Sequence, residues 1–151
     1  PGVVCAVLTA DCLPVLLCDT AGRHVAAAHA GWRGLAAGIL EATVGRLRAA
    51  GAGELIAWLG PAIGPAAYEV GAEVRAALLG SDPAAGECFI PSARGRWQMD
   101  LPGIARRRLR SLGVAASYGG NLCTYSEPVR FFSHRRDGIT GRQGTLIWLG
   151  P

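Results

Sequence analysis

Thr9-Ala10-Asp11-Cys12-Leu13-Pro14-Val15-Leu16-Leu17-Cys18-Asp19-Thr20-Ala21-Gly22-Arg23-His24-Val25-Ala26-Ala27-Ala28-His29 is the stretch on which the fold turns. Leu13 to Cys18 is an unbroken apolar run, as expected of a strand covered on both faces. Asp19-Thr20-Ala21-Gly22 has the chemistry of a tight turn, with Asp at its start and Gly at its end. Val25 to His29 is the returning strand. Pairing Cys18 with Arg23 across the turn sets Cys12 directly opposite His29. Opposed residues point to the same face with Cβ atoms about 4.5–5.5 Å apart. A thiolate and an imidazole so placed can share a metal ion, or the imidazole can take the thiol proton. A one-residue bulge would send the two to opposite faces. By the same parity His24 points away from His29. Asp11, next to Cys12, faces away from it in a regular strand and can assist only if the strand ends there.

Outward from the hairpin, Val3 to Thr9 reads as a strand. Ala30-Gly31-Trp32-Arg33-Gly34 opens a helix expected over Leu35 to Ala50, with Gly51 as its stop. A glycine-flanked Arg33 at a helix start suits an anion. Leu55 to Leu59 is a buried strand closed by Gly60-Pro61, and Gly60 to Pro65 is an irregular loop. Val70 to Leu79 and Leu101 to Leu112 read as helices. The arginines of the second (Arg106, Arg107, Arg108, Arg110) read as a solvated face. Residues 81–99 carry no clear element. Ala115 to Tyr118, Val129 to Ser133 and Thr145 to Leu149 read as strands. The order implies one mixed α/β domain over residues 1–151.

Composition narrows the function. Half of the 151 residues are apolar and 17% are charged, which excludes a disordered chain. The net charge is +4, all of the 15 basic residues are Arg, and none is Lys. That weak excess favours a small anionic ligand and argues against a nucleic-acid partner. Asp11 interrupts the longest apolar run, so a membrane span is not expected. The cysteines at 5, 12, 18, 88 and 123 include no CxxC pair, so neither a disulfide framework nor a zinc ribbon fits. They read as free thiols of a reducing cytoplasm, Cys123 as a core thiol. The chain opens on Pro1 and directly enters a strand, so it is expected to be a piece of a longer protein.

A second candidate region is Phe131-Phe132-Ser133-His134-Arg135-Arg136-Asp137-Gly138-Ile139-Thr140-Gly141-Arg142-Gln143. The two Phe anchor it, and its forked guanidinium groups suit phosphate or carboxylate.

Thr9 to Leu17, His29 to Gly34, Gly60-Pro61-Ala62-Ile63-Gly64-Pro65 with Tyr68-Glu69-Val70, Cys123-Thr124-Tyr125 and the Phe131–Gln143 loop stand in one order. In that order they resemble the laccase-domain family, known as multicopper polyphenol oxidases and reassigned as purine nucleoside phosphorylases. The resemblance implies a single-domain α-β-β-α sandwich with mixed sheets. It implies one zinc held by a Cys and two His: Cys12, His29, and a His in an N-terminal Q-x-H-G segment that this sequence lacks. The chain then reads as the C-terminal part of a domain of about 200–250 residues. It further implies phosphorolysis of adenosine, inosine and methylthioadenosine, with adenosine deamination beside it, so the partners are a purine nucleoside and phosphate. For that chemistry Arg136 and Asp137 are the candidate catalytic pair, and Arg33 and Arg142 the candidate phosphate and substrate binders. Zinc would activate the water of deamination. Three other readings stand beside this one. One is a metal-free Cys12–His29 hydrolase, and one a non-catalytic copy. The third is a copper polyphenol oxidase, although a multicopper cluster needs more imidazoles than the 3 His present.

Overall fold

The computed structural model describes residues 2–150. Its first three strands are β1 (Val4–Thr9), β2 (Leu13–Asp19) and β3 (Val25–Ala30). Helices α1 (Trp32–Ala36) and α2 (Ile39–Ala49) and strand β4 (Leu55–Leu59) follow. Then come β5 (Glu69–Val70), α3 (Ala72–Ser81), β6 (Phe89–Pro91) and β7 (Trp97–Met99). The chain ends with α4 (Leu101–Ser111), β8 (Ala116–Gly119), α5 (His134–Asp137) and β9 (Gln143–Trp148).

Strand β2 organises the core because its odd positions from Leu13 to Leu17 are all apolar. Leu13, Val15 and Leu17 are fully buried. They share a face with Ala28 and Ala30 of β3, and with Leu59 and Ala57 of β4, which pair with Val15 and Leu17 respectively. On that face lie the buried stripes of α2 (Leu40, Val44, Leu47) and α4 (Ile104, Ala105, Leu109), the amphipathic solution expected of helices on a sheet. The sheet runs β3-β2-β4-β8, antiparallel except for the parallel β4/β8 pair. Its opposite face is only half-buried and lies against an antiparallel β1-β9 ribbon, with Leu16 and Trp58 facing Gly144 to Leu146 across a cavity. A third, small sheet runs β5-β7-β6. The class is therefore mixed α/β with mixed sheets, as expected. No helix among the described residues is long and apolar enough to cross a membrane.

Four expectations are corrected. The hairpin pairs Cys18 with Val25 and Pro14 with His29, a shift of two residues from the expected register. The cause is Asp19, whose Oδ1 accepts the backbone N–H of Arg23 at 2.7 Å and of His24 at 2.9 Å. With those donors engaged, the ladder cannot begin before Val25. Because the shift is even, Cys12 and His29 keep the same parity. The helix expected from Leu35 to Ala50 is two helices, broken at Gly38, whose φ of 79° is a left-handed conformation that suits glycine. Val129 to Ser133 is not a strand but a turn at Val129 and Arg130 followed by irregular chain. The arginines of α4 are not all solvated, since Arg108 is 4% exposed. Its guanidinium donates to Leu35 O of α1 at 2.6 Å, Glu41 Oε1 of α2 at 3.1 Å and Ser81 Oγ of α3 at 2.5 Å, tying three helices to α4.

Candidate functional site

The site forms where β1 ends. Asp11 has φ of 83°, in the left-handed region that non-glycine residues rarely occupy. This corner stops β1, so Asp11 does not alternate away as it would in a continuous strand. Its side chain is buried and fully engaged. Oδ1 accepts Thr124 Oγ1 at 2.6 Å, and Oδ2 accepts the backbone N–H of Arg135 at 2.6 Å. Its carbonyl accepts Ile63 N at 2.9 Å. One residue thus joins the β1–β2 corner to the loop after β4, to Thr124 and to α5. Asp11 is a positioning residue for Cys12, not a free acid or base.

Cys12 and His29 meet over Gly31. A methyl group placed on Gly31 would lie 2.7 Å from Cys12 Sγ and 3.9 Å from His29 Cδ2. Both side chains therefore border one small space that only a residue without a side chain leaves open. His29 is exposed and Cys12 is half-buried. No hydrogen bond joins them. Burial first, and the Asp11 carboxylate next, push the Cys12 thiol above its usual range, while Arg142 and Arg33 pull the other way. A thiol so placed stays protonated unless a cation meets it, which weighs against a metal-free Cys–His nucleophile.

The donor pair suits zinc, which takes thiolate sulfur and imidazole nitrogen. Among the described residues no group of three or more His, Cys, Asp or Glu side chains could hold a metal ion. Cys12 and His29 alone would offer zinc two donors, whereas catalytic zinc takes three from protein. Neither other histidine is near joining them. His24 lies between Asp19 Oδ2 at 3.0 Å and Ala50 O at 2.9 Å, and His134 Nδ1 lies 2.7 Å from Gly138 O. The dispersed imidazoles do not fit a multicopper cluster.

The expected arginines divide sharply. Arg33 and Arg142 are exposed and both act on Cys12. Arg33 stacks over Trp32 at 4.3 Å, and α1 is only five residues long, so the positive charge at this point comes mainly from the guanidinium. Arg142 is braced by its Nη1, which donates to Thr140 O and Gly141 O at 2.9 Å. Arg136 is different. Its Nη1 donates to Thr124 O at 2.8 Å and Tyr125 O at 3.0 Å, and its Nη2 to Phe131 O at 3.0 Å. Nε and Nη2 close a bidentate pair with Asp137 at 2.8 Å each. All five guanidinium donors are engaged, so Arg136 holds the loop and has none to offer an anion. Asp137 is held below the usual carboxylate range, chiefly by its hydrogen bonds from Arg136, and serves as that arginine's clamp.

Two residues at the site escaped the sequence reading of roles. Arg135 has its backbone fixed by Asp11, and its Nη1 donates to Glu69 O at 2.9 Å. Its remaining guanidinium donors have no partner among the described residues. The guanidinium lies 5.2 Å from the Tyr68 ring centroid. Tyr68 is near Cys12, and burial, then that thiol, push its phenol up to about 12, so it remains a neutral donor. The only sequence signal was the place of Tyr68 after Gly60 to Pro65 and of Arg135 beside Arg136. Cys123, read as a core thiol, is half-buried. Burial raises it, but hydrogen bonds from Ser126 Oγ at 3.3 Å and Gly64 N at 3.2 Å, with further backbone donors, leave it below the usual thiol value.

Comparison with known proteins bears on this geometry. The family described as multi-copper polyphenol oxidoreductase laccase matches residues 1–150. A purine nucleoside phosphorylase of Pseudomonas aeruginosa is 56% identical over 150 residues, covering 99% of this chain and 62% of that protein. The purine nucleoside phosphorylase YfiH of Escherichia coli is 54% identical over 149 residues, covering 99% of this chain and 60% of that protein. A crystal structure of a Neisseria meningitidis protein superposes with a TM-score of 0.93 at 48% identity, covering 98% of this chain and 61% of its own. That of YlmD from Geobacillus stearothermophilus superposes with a TM-score of 0.89 at 36% identity, covering 96% and 56%. The chain thus spans about three fifths of the length of these curated relatives.

Proposed function

This chain belongs to the multi-copper polyphenol oxidoreductase laccase family, and from that membership we propose that its Cys12–His29 site serves a purine nucleoside phosphorylase. The relatives so named support this reading. The observation that carries it is that Arg33 and Arg142 both act on the Cys12 thiol, beside an imidazole, with Tyr68 near that thiol and Arg135 over the Tyr68 ring.

Phosphorolysis forms a bond between a phosphate oxygen and the sugar C1′ and breaks the bond from C1′ to the purine nitrogen. The proton that the phosphate dianion gives up ends on the ring of the leaving base. Arg33, Arg142 and Arg135 hold and orient the phosphate dianion and stabilise charge in the transition state. Arg136 and Asp137 act one step removed, by fixing the backbone of residues 124–137 that presents Arg135. Tyr68, a neutral phenol, can donate a hydrogen bond to the phosphate or the sugar. Cys12 and His29 would hold zinc together with a donor from elsewhere, and a bound zinc would supply activation of a water for adenosine deamination. Adenosine, inosine and methylthioadenosine are the proposed substrates, in a reducing cytoplasm.

Phosphate-dependent release of hypoxanthine from inosine tests the reading, with zinc supplied and with the chain assayed alone and within a full-length relative's framework. Release that requires phosphate and is lost in Arg33→Ala and Arg142→Ala supports it. Absence of product in both settings would sink it.

A further inference from the structure

Glu69 meets Arg135 through its backbone and carries a charge that could meet it too. The Glu69 carbonyl accepts Arg135 Nη1 at 2.9 Å, and no other group among the described residues accepts from that guanidinium. The carboxylate of the same residue is engaged elsewhere. Its Oε2 accepts Ser92 Oγ at 2.7 Å, and Arg96 Nη1 lies 3.7 Å from its Oε1. We propose that Ser92 is a positioning residue, which holds the Glu69 carboxylate in a latch and so keeps Arg135 open to phosphate. The inference rests on the phosphorylase reading, in which Arg135 is a phosphate ligand, and deepens it.

The need for a latch follows from guanidinium chemistry. The forked donors of arginine fit carboxylate and phosphate alike. Arg135 keeps donors without a partner among the described residues, and the residue that accepts its Nη1 carries a ready rival for them. Tethered in this way, a loose carboxylate competes intramolecularly, at an effective concentration of about millimolar or above. Asp11, the other acidic residue bonded to Arg135, is no rival, because Thr124 Oγ1 and the Arg135 backbone N–H occupy its two oxygens. Glu69 has no such enclosure. Its side chain is 37% exposed, and Arg96, 57% exposed, makes with it a surface pair of the kind that contributes little. The Ser92 hydroxyl is thus the short bond that fixes the carboxylate. The fold sets that hydroxyl in place. Strands β6 and β7 pair Pro91 with Trp97, and Ser92 N donates to Arg96 O at 2.8 Å, closing the turn over residues 92–96. Strand β5 is only two residues long and pairs Glu69 with Gln98 of β7. Glu69 therefore depends on its tie to the β6–β7 turn more than a residue of a longer strand would.

Calorimetry with inorganic phosphate follows binding apart from turnover, in wild type, Ser92→Ala, Ser92→Thr, Glu69→Gln and the double variant Ser92→Ala with Glu69→Gln. Ser92→Ala frees the carboxylate and is expected to weaken phosphate about tenfold. Ser92→Thr keeps the hydroxyl, at a φ of −116° and ψ of 176° that a β-branched residue adopts readily, and should bind as wild type does. Glu69→Gln removes the competing charge and should stay within about twofold of wild type. The double variant decides the matter. With no carboxylate left to hold back, it should recover to within about twofold of wild type. A Ser92 that merely braces the turn predicts instead that the double variant stays as weak as Ser92→Ala, and that result overturns the latch. So does Ser92→Ala with wild-type affinity. If the expected pattern appears but no hypoxanthine is released from inosine, the latch stands and phosphorolysis falls. Hypoxanthine release with phosphate KM unmoved by Ser92→Ala keeps the phosphorylase and overturns the latch. If wild type binds no phosphate, both fall.

Discussion

Replacing Gly31 by Ala isolates the contact between Cys12 and His29. The backbone of Gly31 is extended, with φ of −71° and ψ of 168°, so alanine meets no conformational strain. The added methyl would sit 2.7 Å from Cys12 Sγ, whereas unstrained contacts begin at about 3.5 Å. The thiol must therefore retreat by most of an ångström, or the hairpin must shift to let it. Overpacking of this kind costs about 1–3 kcal/mol. Loss of glycine freedom in the unfolded chain returns about 0.4–1 kcal/mol. A net loss of about 1–2 kcal/mol lowers Tm by about 2–8 °C in a domain of this size. The effect on metal should be larger than the effect on stability. Ligand distances at a zinc site hold within about 0.2 Å, so a displaced sulfur should weaken zinc by about 10–100-fold. Competition with a chromophoric chelator measures the affinity, and a thermal melt by circular dichroism measures the stability. If Gly31→Ala melts with wild type and takes up zinc as tightly, Cys12 Sγ does not lie across Gly31, and the assignment of the site is wrong.

Three further outcomes are expected. Arg136→Met should lower the melting temperature and raise phosphate KM only indirectly and less than Arg135→Met does, whereas Arg135→Met should raise phosphate KM and leave the melting temperature near wild type; the opposite pattern would return Arg136 to the anion. Arg108→Met should cost about 2 kcal/mol, because it leaves the Leu35 carbonyl without its donor while exposed Glu41 remains hydrated, and a urea midpoint equal to wild type would contradict this. Asp19 is held far below the ordinary carboxylate range, first by its hydrogen bond with His24. A depressed carboxylate contributes stability above its unfolded value of about 3.9 and loses it as pH falls through and below that value. Urea midpoints should therefore decline below about pH 4 more steeply in wild type than in Asp19→Asn, and parallel profiles would refute the pairing.

That Cys12 and His29 share a face was legible because strand parity survives any even error in register; their direct opposition was not, since Pro14 stands opposite His29. The register itself was not, since the Asp19 carboxylate competes with the ladder for the amides of Arg23 and His24, and a turn signature does not reveal that competition. The buried stripes of β2 and α4 were legible from period. Arg108 was not, because burial of a helical arginine depends on whether carbonyls from other helices wait beneath it. The same limit governs Arg135 and Arg136. Adjacent in sequence and identical in chemistry, they differ only in which carbonyls surround them, so the residue with the stronger motif context proved to be the fully bonded one. Tyr68 came to the site through the loop after β4, whose path no local pattern states.

Asp11 leaves position 11 almost no room to vary. The corner asks for a residue that tolerates φ of 83°, which favours Gly, Asn and Asp. It also asks for two acceptor oxygens at once, one for Thr124 Oγ1 and one for Arg135 N. Glycine meets the first demand and offers no oxygen. Asparagine meets it and offers one oxygen, turning an amide N–H toward a donor. Only aspartate meets both, so the corner works as a lock with a single key. A designer grafting this site onto another scaffold could vary the core freely but would have to carry this one residue, and its twist, across unchanged.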